Sequence, residues 1–412
     1  MEYGCIGEHL GHSFSAVIHR DIGRYDYELR EVAPAELDSF LRRREFRGVN
    51  VTIPYKQAVI PYLHDMTERA RRIGAVNTIV NRDGLLYGDN TDFGGLQALI
   101  DKAELPVTGA KALILGTGGT SRTARAVLSG LGAGEIVRVS RGGHDCAVTY
   151  EQAYAGHRDA QLVVNTTPCG MFPDLDSQPL RLSAFPDLRG VVDVIYNPLR
   201  SRLVLEAESR GVKAIGGLYM LVAQAVQAAE VFTREKLPEG ETDRIYGKLR
   251  TERENLVLIG MPGCGKSTVG VLLSLALGRE LLDLDELIIR QAGCPISEIF
   301  ARQGETAFRD LETQTIAAMA GQGGRIIATG GGAVLREENV RRLSQNGRLI
   351  FLDRPLSQLL PTADRPLADD EAKLRRLYRE RYPIYQAAAD LTVAAGEPPE
   401  AVARTIIRSL GV

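Results

Sequence analysis

The chain has 412 residues, of which 44% are hydrophobic and 25% are charged, and its 50 basic residues nearly balance 52 acidic ones. This length exceeds that of one compact domain, so we expect two or three domains. The balanced charge argues against a nucleic-acid-binding surface. No apolar run approaches the length of a transmembrane helix, so we expect no membrane partner.

The five cysteines are scattered along the chain without any C-x-x-C pair. This usage favours neither a disulfide framework nor a zinc site and indicates a reducing compartment. The N-terminus carries Glu2, Gly4 and Gly7 where a signal peptide would have its charged and apolar regions. We therefore expect a cytoplasmic protein.

Residues 1–103 alternate short apolar runs with helical segments, which predicts an α/β domain with strands near 2–6, 48–53 and 76–80. Four polar clusters occur in this part: HSFS (12–15), NVTIPYK (50–56), GAVNT (74–78) and GDNTDFGG (88–95). Together, such clusters can converge on a small hydroxylated ligand. Singly they also fit local roles, with Asn77 as a turn residue and Asp92 as the N-cap of a helix.

Residues 104–217 predict a second α/β domain, with strand-like runs at 112–116, 136–140, 162–167, 191–196 and 212–215. Helical stretches between several of these runs favour a parallel, doubly wound, Rossmann-like sheet. The run GTGGTSRTA (116–124) follows the first strand and opens a helix, as a dinucleotide-binding turn does, although Ser121 replaces the third glycine.

The cofactor is indicated by the end of the second strand, where Ser140 and Arg141 stand instead of a carboxylate. A guanidinium suits the 2′-phosphate of NADP, whereas NAD sites use Asp or Glu for the ribose hydroxyl. The alternative is that Arg141 is an ordinary solvated residue.

The remaining chain predicts a helix at 218–235 that belongs with the first domain, a linker at 236–254 and a third α/β domain at 255–412. The linker is inferred from dense charge and from Pro238 and Gly240. The run GMPGCGKS (260–267) lies between a strand-like and a helical run, the order that a P-loop requires. Lys266 would reach the β- and γ-phosphates of a nucleoside triphosphate, and the Ser267 hydroxyl would ligate Mg²⁺.

Five further motifs follow the P-loop: LDLDE (282–286), FRDLE (308–312), ATGGGAV (328–334), DRPLAD (364–369) and ERYPIY (380–385). Taken alone, Asp285 also fits a helix N-cap and Arg309 an ordinary surface charge. The three glycines of the third motif would let backbone amides approach a ligand.

In their order, the motifs of residues 1–235 resemble the shikimate dehydrogenase family, which reduces 3-dehydroshikimate to shikimate with NADPH. The resemblance implies that Lys56 is catalytic, with Asp92 beside it. It implies the following substrate contacts: Ser13, Ser15, Thr52, Lys56, Asn77, Asp92, Tyr196 and Gln224. It implies the following NADP contacts: Gly116, Thr117, Gly118, Gly119, Thr120, Ser140, Arg141, Val194 and Gly217.

The residue types suit this chemistry. Hydride delivery to a ketone builds negative charge on the oxygen, which a nearby lysine can stabilise or protonate, and an aspartate would hold the ammonium in place. One departure from the family is that Gly142, Gly143 and His144 stand where the family usually has a threonine and a second basic residue. Arg141 is then the main 2′-phosphate contact, and a quinate dehydrogenase that uses NAD is the competing interpretation.

Residues 255–412 resemble the shikimate kinase family. The resemblance implies that Asp285, Arg309, Gly331 and Arg381 bind shikimate, since two forked guanidinium groups match a carboxylate. It implies Mg²⁺ ligation by Ser267 and Asp283, and a base role for Asp285 toward the attacking hydroxyl. The implied ATP contacts are Gly263, Cys264, Gly265, Lys266, Ser267, Thr268 and, from a closing lid, Arg365.

The sequence therefore predicts a bifunctional enzyme of chorismate and aromatic amino acid synthesis, in which the product of the first half is the substrate of the second. A rival interpretation from another class is a non-catalytic regulator that senses metabolites and binds a transcription partner. The presence of Lys56, Asp92, Lys266, Asp285 and Arg309 argues against this regulator.

Overall fold

The computed structural model describes residues 1–10, 14–143, 146–319, 321–359 and 370–411. The chain divides into two compact units, Met1–Arg250 and Thr251–Val412. Helices accompany every sheet in the described parts of both units, so the predicted α/β class is confirmed. Across these same residues, no helix combines the length and the apolar character needed to span a bilayer.

The first unit opens with a mixed six-stranded sheet. Its strands are β1 (Tyr3–Gly7), β2 (Tyr27–Glu31), β3 (Gly48–Val51), β4 (Asp65–Met66), β5 (Thr78–Arg82) and β6 (Leu85–Asp89). Its helices are α1 (Ser15–Ile22), α2 (Leu37–Arg43), α3 (Glu68–Ile73) and α4 (Thr91–Lys102). The strand order is β2-β1-β3-β5-β6-β4, with β1 parallel to β2 and β3, and β5 antiparallel to β3 and β6.

A second sheet of the first unit is parallel and doubly wound, as the sequence predicts. Its strands are β7 (Lys111–Leu115), β8 (Glu135–Val139), β9 (Leu162–Asn165), β10 (Gly190–Asp193) and β11 (Lys213–Ile215). Its helices are α5 (Gly119–Gly130), α6 (Tyr150–Gly156) and α7 (Arg202–Ser209), whereas α8 (Leu218–Thr233) follows β11 and packs against α1 and α4 of the first domain. The order is β11-β10-β9-β7-β8, and the central strands are buried over their length because helices cover both faces.

Helix α8 packs against α4 of the first domain at a site that only small residues permit. A Cβ on Gly95 would lie 2.8 Å from the carbonyl oxygen of Met220 and 2.9 Å from the Cβ of Gln224. Both distances are shorter than side chains tolerate, so glycine is required for this approach. The close packing brings Gln224 of α8 to the N-terminal end of α4.

The segment 236–254, which the sequence predicts as a linker, is mostly helical. The segment contains α9 (Glu241–Arg253), and the division between the two units falls within this helix. Ile245 and Leu249 are 0% and 1% exposed and share a core cluster with residues of α1 and α8. The charges that suggested a linker lie instead on the outer side of an amphipathic helix.

The second unit is built on a parallel five-stranded sheet of order β13-β14-β12-β15-β16. Its strands are β12 (Asn255–Ile259), β13 (Leu281–Asp283), β14 (Ile326–Ala328), β15 (Gly347–Asp353) and β16 (Leu391–Ala394). Its helices are α10 (Lys266–Leu277), α11 (Leu284–Ala292), α12 (Ile296–Met319), α13 (Glu337–Asn346), α14 (Glu371–Ala388) and α15 (Pro399–Leu410). The P-loop follows β12, the central strand, at the sheet edge where ligands bind in open α/β folds.

Candidate active sites

The first candidate site centres on an ion pair between Lys56 and Asp92, whose Nζ and Oδ2 atoms are 2.6 Å apart. The two side chains are 20% and 11% exposed. Charged side chains are rarely this buried unless they are paired. The structure thus brings together the two residues that the sequence assigned to catalysis.

Asp92 lies in the first turn of α4, but it is not the N-cap. Asn90 holds that position, and its side-chain oxygen accepts a hydrogen bond from the Phe93 N–H at 3.2 Å. The N-cap interpretation of Asp92 is therefore wrong, and its carboxylate is available to Lys56. On the other side, the carbonyl oxygen of Lys56 accepts a hydrogen bond from the Val76 N–H at 2.7 Å, which anchors the turn after β3 to the segment leading into β5.

A buried hydrogen-bond network adjoins this pair and includes two of the predicted substrate residues. The Asn77 Oδ1 atom accepts a hydrogen bond from the Thr91 N–H at 2.7 Å, and the Asn77 amide donates to the Thr91 hydroxyl at 3.1 Å. That hydroxyl lies 3.5 Å from Gln224 Oε1. Asn50 of β3 extends the network, because its side-chain amide donates to the Asn77 carbonyl oxygen and to the Thr78 hydroxyl.

Thr91 and Asn50 were not among the predicted site residues. Each lies inside a motif that the sequence singled out, Thr91 directly before Asp92 and Asn50 at the start of NVTIPYK. A buried, side-chain-bonded polar residue looks the same in sequence as a capping residue, so the motif gave no means of separating the two roles.

The buried ring of His19 packs with the rings of Tyr25 and Tyr27 in the first domain. His19 is fully buried, its ring stacks on Tyr27 at 3.8 Å, and its Nδ1 atom lies 2.8 Å from the Tyr25 hydroxyl. Burial lowers the pKa of His19 to about 3, so the imidazole is neutral in the folded protein. Burial also raises the pKa of the nearby Cys5 thiol to about 12, which makes it an inert core residue.

Other predicted substrate residues lie on neighbouring elements. Ser15 begins α1, and the ring of Phe14 just before it lies 5.3 Å from the ring of Tyr196. Thr52 follows β3, where its N–H donates to the carbonyl oxygen of Ile6 at 3.0 Å. Ser13 lies outside the described residues.

A cavity of about 1230 Å³ connects Lys56 to the dinucleotide-binding motif. Its lining includes the predicted cofactor residues Gly116, Thr117, Gly118, Gly119, Thr120, Ser140 and Arg141. Lining residues that the sequence did not single out include Ile53, Arg122, Tyr150, Thr166, Thr167 and Cys169. One continuous cavity thus has an ammonium group at one part of its wall and a glycine-rich turn at another.

The turn fits a dinucleotide pyrophosphate. Gly116 has a φ of +109°, and a Cβ there would lie 2.9 Å from the Thr166 hydroxyl, so glycine is required at this position. Gly118 is the N-cap of α5, whose free N–H groups and positive dipole end favour a phosphate. Arg141 is exposed at the end of β8, where Ser140 Oγ accepts from the Gly143 N–H at 3.1 Å. The residues present therefore fit NADP.

The remaining predicted cofactor residues, Val194 and Gly217, lie close to the buried carboxyl group of Asp193. Asp193 accepts hydrogen bonds from Asn165, the Ser201 hydroxyl and the Ile195 N–H at 3.0, 2.6 and 3.1 Å. Burial raises the pKa of Asp193 to about 6, although these hydrogen bonds act in the opposite direction. Val194 follows it, and Gly217 packs directly against the Val194 backbone.

The second candidate site begins at the P-loop. Gly263 and Gly265 have φ values of +80° and +100°, which only glycine adopts readily. Lys266 is 9% exposed, and its ammonium donates to the carbonyl oxygens of Gly260 and Met261 at 2.9 and 3.0 Å. Cys264 is buried, and Thr268 is exposed in the first turn of α10.

The end of β13 carries the next predicted group. The Ser267 hydroxyl donates to Asp283 Oδ2 at 2.7 Å. Asp283 is also the N-cap of α11, since its Oδ1 atom accepts from the N–H groups of Asp285 and Glu286. The capping role therefore belongs to Asp283, and Asp285 lies in the first turn. Two adjacent oxygens suit Mg²⁺, which keeps water and phosphate oxygens as its other ligands.

Arg309 of α12 is buried, so its interpretation as a surface charge is wrong. It is 8% exposed and donates to Glu312 at 2.8 Å and to Glu305 at 3.2 Å. Gly304 interrupts α12 just before it with φ 82° and ψ 175°, a conformation essentially limited to glycine. This break sets the direction of the helical segment that presents Arg309.

The glycine-rich loop after β14 lies among the predicted shikimate residues. A Cβ on Gly330 would lie 2.8 Å from Glu312 Oε1 and 2.9 Å from Asp285 Oδ1, so both carboxylates reach this loop. The Gly331 carbonyl oxygen accepts from Arg381 at 3.1 Å. The four predicted residues Asp285, Arg309, Gly331 and Arg381 therefore converge.

Glu312 joins this cluster as a residue whose role the sequence did not predict. It is fully buried, and its Oε1 atom has no hydrogen-bond partner among the described residues. Burial raises the pKa of Glu312, against the effect of Arg309. The FRDLE motif contained it, but only its burial and its 2.8 Å contact with Arg309 identify it as the counter-ion. Arg365 and the whole DRPLAD motif lie outside the described residues.

Comparison with protein families matches residues 5–79 to the shikimate dehydrogenase substrate binding domain and residues 262–411 to shikimate kinase. Among curated proteins, the shikimate dehydrogenase (NADP(+)) of Clostridium perfringens is 32% identical over 272 residues, which cover 60% of this chain and 98% of that protein.

Solved structures show the same likeness. Shikimate dehydrogenase 1 from Peptoclostridium difficile is 34% identical with a TM-score of 0.56, covering 60% of this chain and 98% of that one. A shikimate 5-dehydrogenase from Thermus thermophilus, solved in complex with NADP(H) and shikimate, is 30% identical with a TM-score of 0.54, covering 60% and 99%.

Proposed function

Because the chain belongs to the shikimate dehydrogenase family and also carries a shikimate kinase domain, we propose that it catalyses two consecutive reactions. The first is the NADPH-dependent reduction of 3-dehydroshikimate to shikimate. The second is the ATP-dependent phosphorylation of shikimate to shikimate 3-phosphate. The chain is thus a bifunctional enzyme of the shikimate pathway.

In the first reaction, NADPH supplies the hydride when it is bound. Lys56 then places an ammonium group beside the substrate ketone oxygen, where it stabilises the developing negative charge and provides a proton. Asp92 fixes the direction of that ammonium group through their 2.6 Å contact. Asn77, Tyr196 and Gln224 bind the ring substituents, while Arg141 and the N-terminus of α5 bind the cofactor phosphates.

In the second reaction, Lys266 must leave the P-loop carbonyl oxygens that it contacts and reach the phosphates of ATP. Ser267 and Asp283 would hold Mg²⁺, which neutralises phosphate charge. Asp285 accepts the proton of the attacking hydroxyl, and Arg309 and Arg381 hold the carboxylate. Such positioning and charge neutralisation account for most of the catalysis in phosphoryl transfer.

The observation that carries the dehydrogenase proposal is the single cavity that contains both Lys56 and the glycine-rich turn. We expect Lys56→Met to lower the dehydrogenase kcat by about 10²–10⁴-fold, as loss of a positioned proton donor does. The kinase activity of the same variant is the control, and it should equal that of the unmodified chain. Unchanged dehydrogenase turnover would remove Lys56 from the mechanism.

The second candidate for the first unit is a quinate dehydrogenase that uses NAD. It is favoured by the single exposed arginine at the end of β8, which leaves the 2′-phosphate with one predicted basic contact. Steady-state rates with shikimate and NADP against quinate and NAD distinguish the two. We expect the higher kcat/KM with shikimate and NADP, and the reverse order would favour the quinate enzyme.

A further inference from the structure

Another ion pair of the first unit, between Arg69 and Asp89, lies directly before the turn that begins α4 and carries Asp92. Asp89 is the last residue of β6 and is 6% exposed. Arg69 of α3 binds its carboxylate in a bidentate manner, with Nε at 2.7 Å and Nη2 at 2.6 Å. The Thr67 hydroxyl donates at 2.6 Å and the Asn90 N–H at 2.7 Å. Four donors therefore fix one carboxylate.

These donors decide the ionisation of Asp89. Burial alone would raise its pKa, but hydrogen bonds from Arg69, Thr67 and the Asn90 N–H outweigh burial and lower the pKa of Asp89. The carboxylate is therefore charged at neutral pH. Removing the guanidinium would leave this charge buried with weaker compensation, which is far more costly than losing an exposed pair.

The turn that Asp89 fixes is the one that presents Asp92. The Asn90 N–H is held by Asp89, and the Asn90 side chain both caps α4 and donates to the Ala75 carbonyl oxygen at 2.9 Å. The Asp89 carbonyl oxygen accepts from the Asn77 N–H at 3.1 Å. Asp92 follows two residues after Asn90 and contacts Lys56.

Arg71 of α3 forms a contrasting ion pair with Asp65 of β4. Arg71 and Asp65 are 2.7 Å apart, but their side chains are 56% and 58% exposed. Exposed pairs of this kind contribute little to stability or geometry. The Arg69–Asp89 pair differs by its buried carboxylate, its bidentate geometry and its direct contact with the turn that begins α4.

We propose that Arg69 and Asp89 are positioning residues for the dehydrogenase reaction, which hold the turn before α4 so that Asp92 keeps Lys56 in its catalytic orientation. This inference rests on the proposed reduction at Lys56. Neither residue touches the substrate in this account, because both act through Asn90 and Asp92. Their substitution should therefore change turnover more than substrate binding, which also depends on α8 and on the loop after β10.

The test compares Arg69→Gln, Arg69→Lys and Asp89→Asn with the matched control Arg71→Gln in the full chain. We expect Arg69→Gln and Asp89→Asn to lower the dehydrogenase kcat about tenfold or more, since a displacement of about 1 Å can cost a hundredfold. The KM for shikimate should change by less than about threefold, which marks a loss confined to the transition state. Arg69→Lys should restore thermal stability but not kcat, because lysine lacks the bidentate fork.

Kinase activity gives the concentration of chain with a functional second unit in each variant, thermal stability reports whether the first unit is folded, and Arg71→Gln should match the unmodified chain in every measurement. The proposal is overturned if Arg69→Gln behaves as Arg71→Gln does, or if Arg69→Lys restores kcat together with stability, which indicates a purely structural role. If Arg69→Gln does not fold, Arg69→Lys decides the outcome alone. The variant Lys56→Met separates a failure of this positioning proposal from a failure of the proposed function. If the proposed reduction at Lys56 is wrong, Lys56→Met keeps its dehydrogenase activity; if only the positioning proposal is wrong, Lys56→Met is inactive.

Discussion

At the scale of single residues, both candidate sites depend on charged groups that are buried and paired. Lys56 with Asp92, and Arg309 with Glu312, each have side chains at most 20% exposed. Burying a charge is costly unless a partner compensates, so such a pair is maintained only by surrounding structure that fixes both members. That requirement gives each site a defined geometry before any ligand binds.

Glu312→Gln should weaken shikimate binding by the kinase. Arg309 would lose its only fully buried counter-ion among the described residues and keep Glu305, which is 45% exposed. We expect the KM for shikimate to rise about tenfold, equivalent to about 1.4 kcal/mol, while the KM for ATP stays constant. Glu305→Gln is the matched control and should have a smaller effect. Equal effects of the two substitutions would contradict the role of Glu312.

His19 should make the first unit sensitive to acid. The unfolded chain protonates a histidine near pH 6.5, whereas burial lowers the pKa of His19 to about 3 in the folded protein. Its contribution to stability is therefore present above about pH 6.5 and is lost as the pH falls below it. Between about pH 7 and about pH 5 this loss amounts to about 2 kcal/mol.

His19→Phe keeps a ring against Tyr27 and removes the titrating group. We expect this variant to lose less stability than the unmodified chain between those two pH values. Amide hydrogen exchange of the peptide that contains β1 measures the free energy of opening in this domain. If the free energy of opening falls equally with pH in His19→Phe and in the unmodified chain, His19 does not cause the sensitivity to acid.

At the scale of elements, α9 gives a direct test of packing where a linker was predicted. Leu249 is 1% exposed, so Leu249→Ala should destabilise the first unit by about 2–5 kcal/mol. Gly247 is exposed in the same helix, and no atom lies within 4 Å of where its Cβ would be, so Gly247→Ala should stabilise by about 0.5–1 kcal/mol. Urea midpoints of dehydrogenase activity measure both. If neither substitution changes the urea midpoint, this segment is solvated and does not pack as a helix.

The elements also show how far sequence reasoning reached. The strands were found because continuous apolar runs mark buried parallel strands, and the P-loop because its glycines, Lys266 and Ser267 have a fixed spacing. Helix α9 was missed because Ile245 and Leu249 supply only a narrow apolar stripe among many charges. The cap at Asn90 was missed because Asp92, two residues later, is an equally good capping residue.

Contacts between distant segments lay beyond the sequence in both units. The Thr91 to Gln224 contact spans 133 positions, and only the close packing of α4 and α8 at Gly95 brings these residues together. The burial of Glu312 likewise depends on the glycine loop after β14. For such residues the motifs indicated the region of the site, while the three-dimensional packing decided which side chain serves it.

At the scale of the whole molecule, the two proposed reactions share one ligand that both units would recognise. The first unit would release shikimate and the second would accept it, so a single polypeptide would convert a ketone, NADPH and ATP into a phosphate ester, NADP⁺ and ADP. Residues of each site can be changed separately, because Lys56 and Asp285 lie in different units. A variant of Lys56 should therefore stop the first reaction alone, and a variant of Asp285 should stop the second reaction alone.

The most direct measurement supplies 3-dehydroshikimate, NADPH and ATP with Mg²⁺ to the purified chain and follows shikimate 3-phosphate. We predict NADPH oxidation followed by the phosphorylated product. Lys56→Met should block product formation from 3-dehydroshikimate but not from shikimate, and Asp285→Asn should accumulate shikimate. No phosphorylated product from the unmodified chain with either substrate, or product formation that both substitutions leave unchanged, would contradict the account.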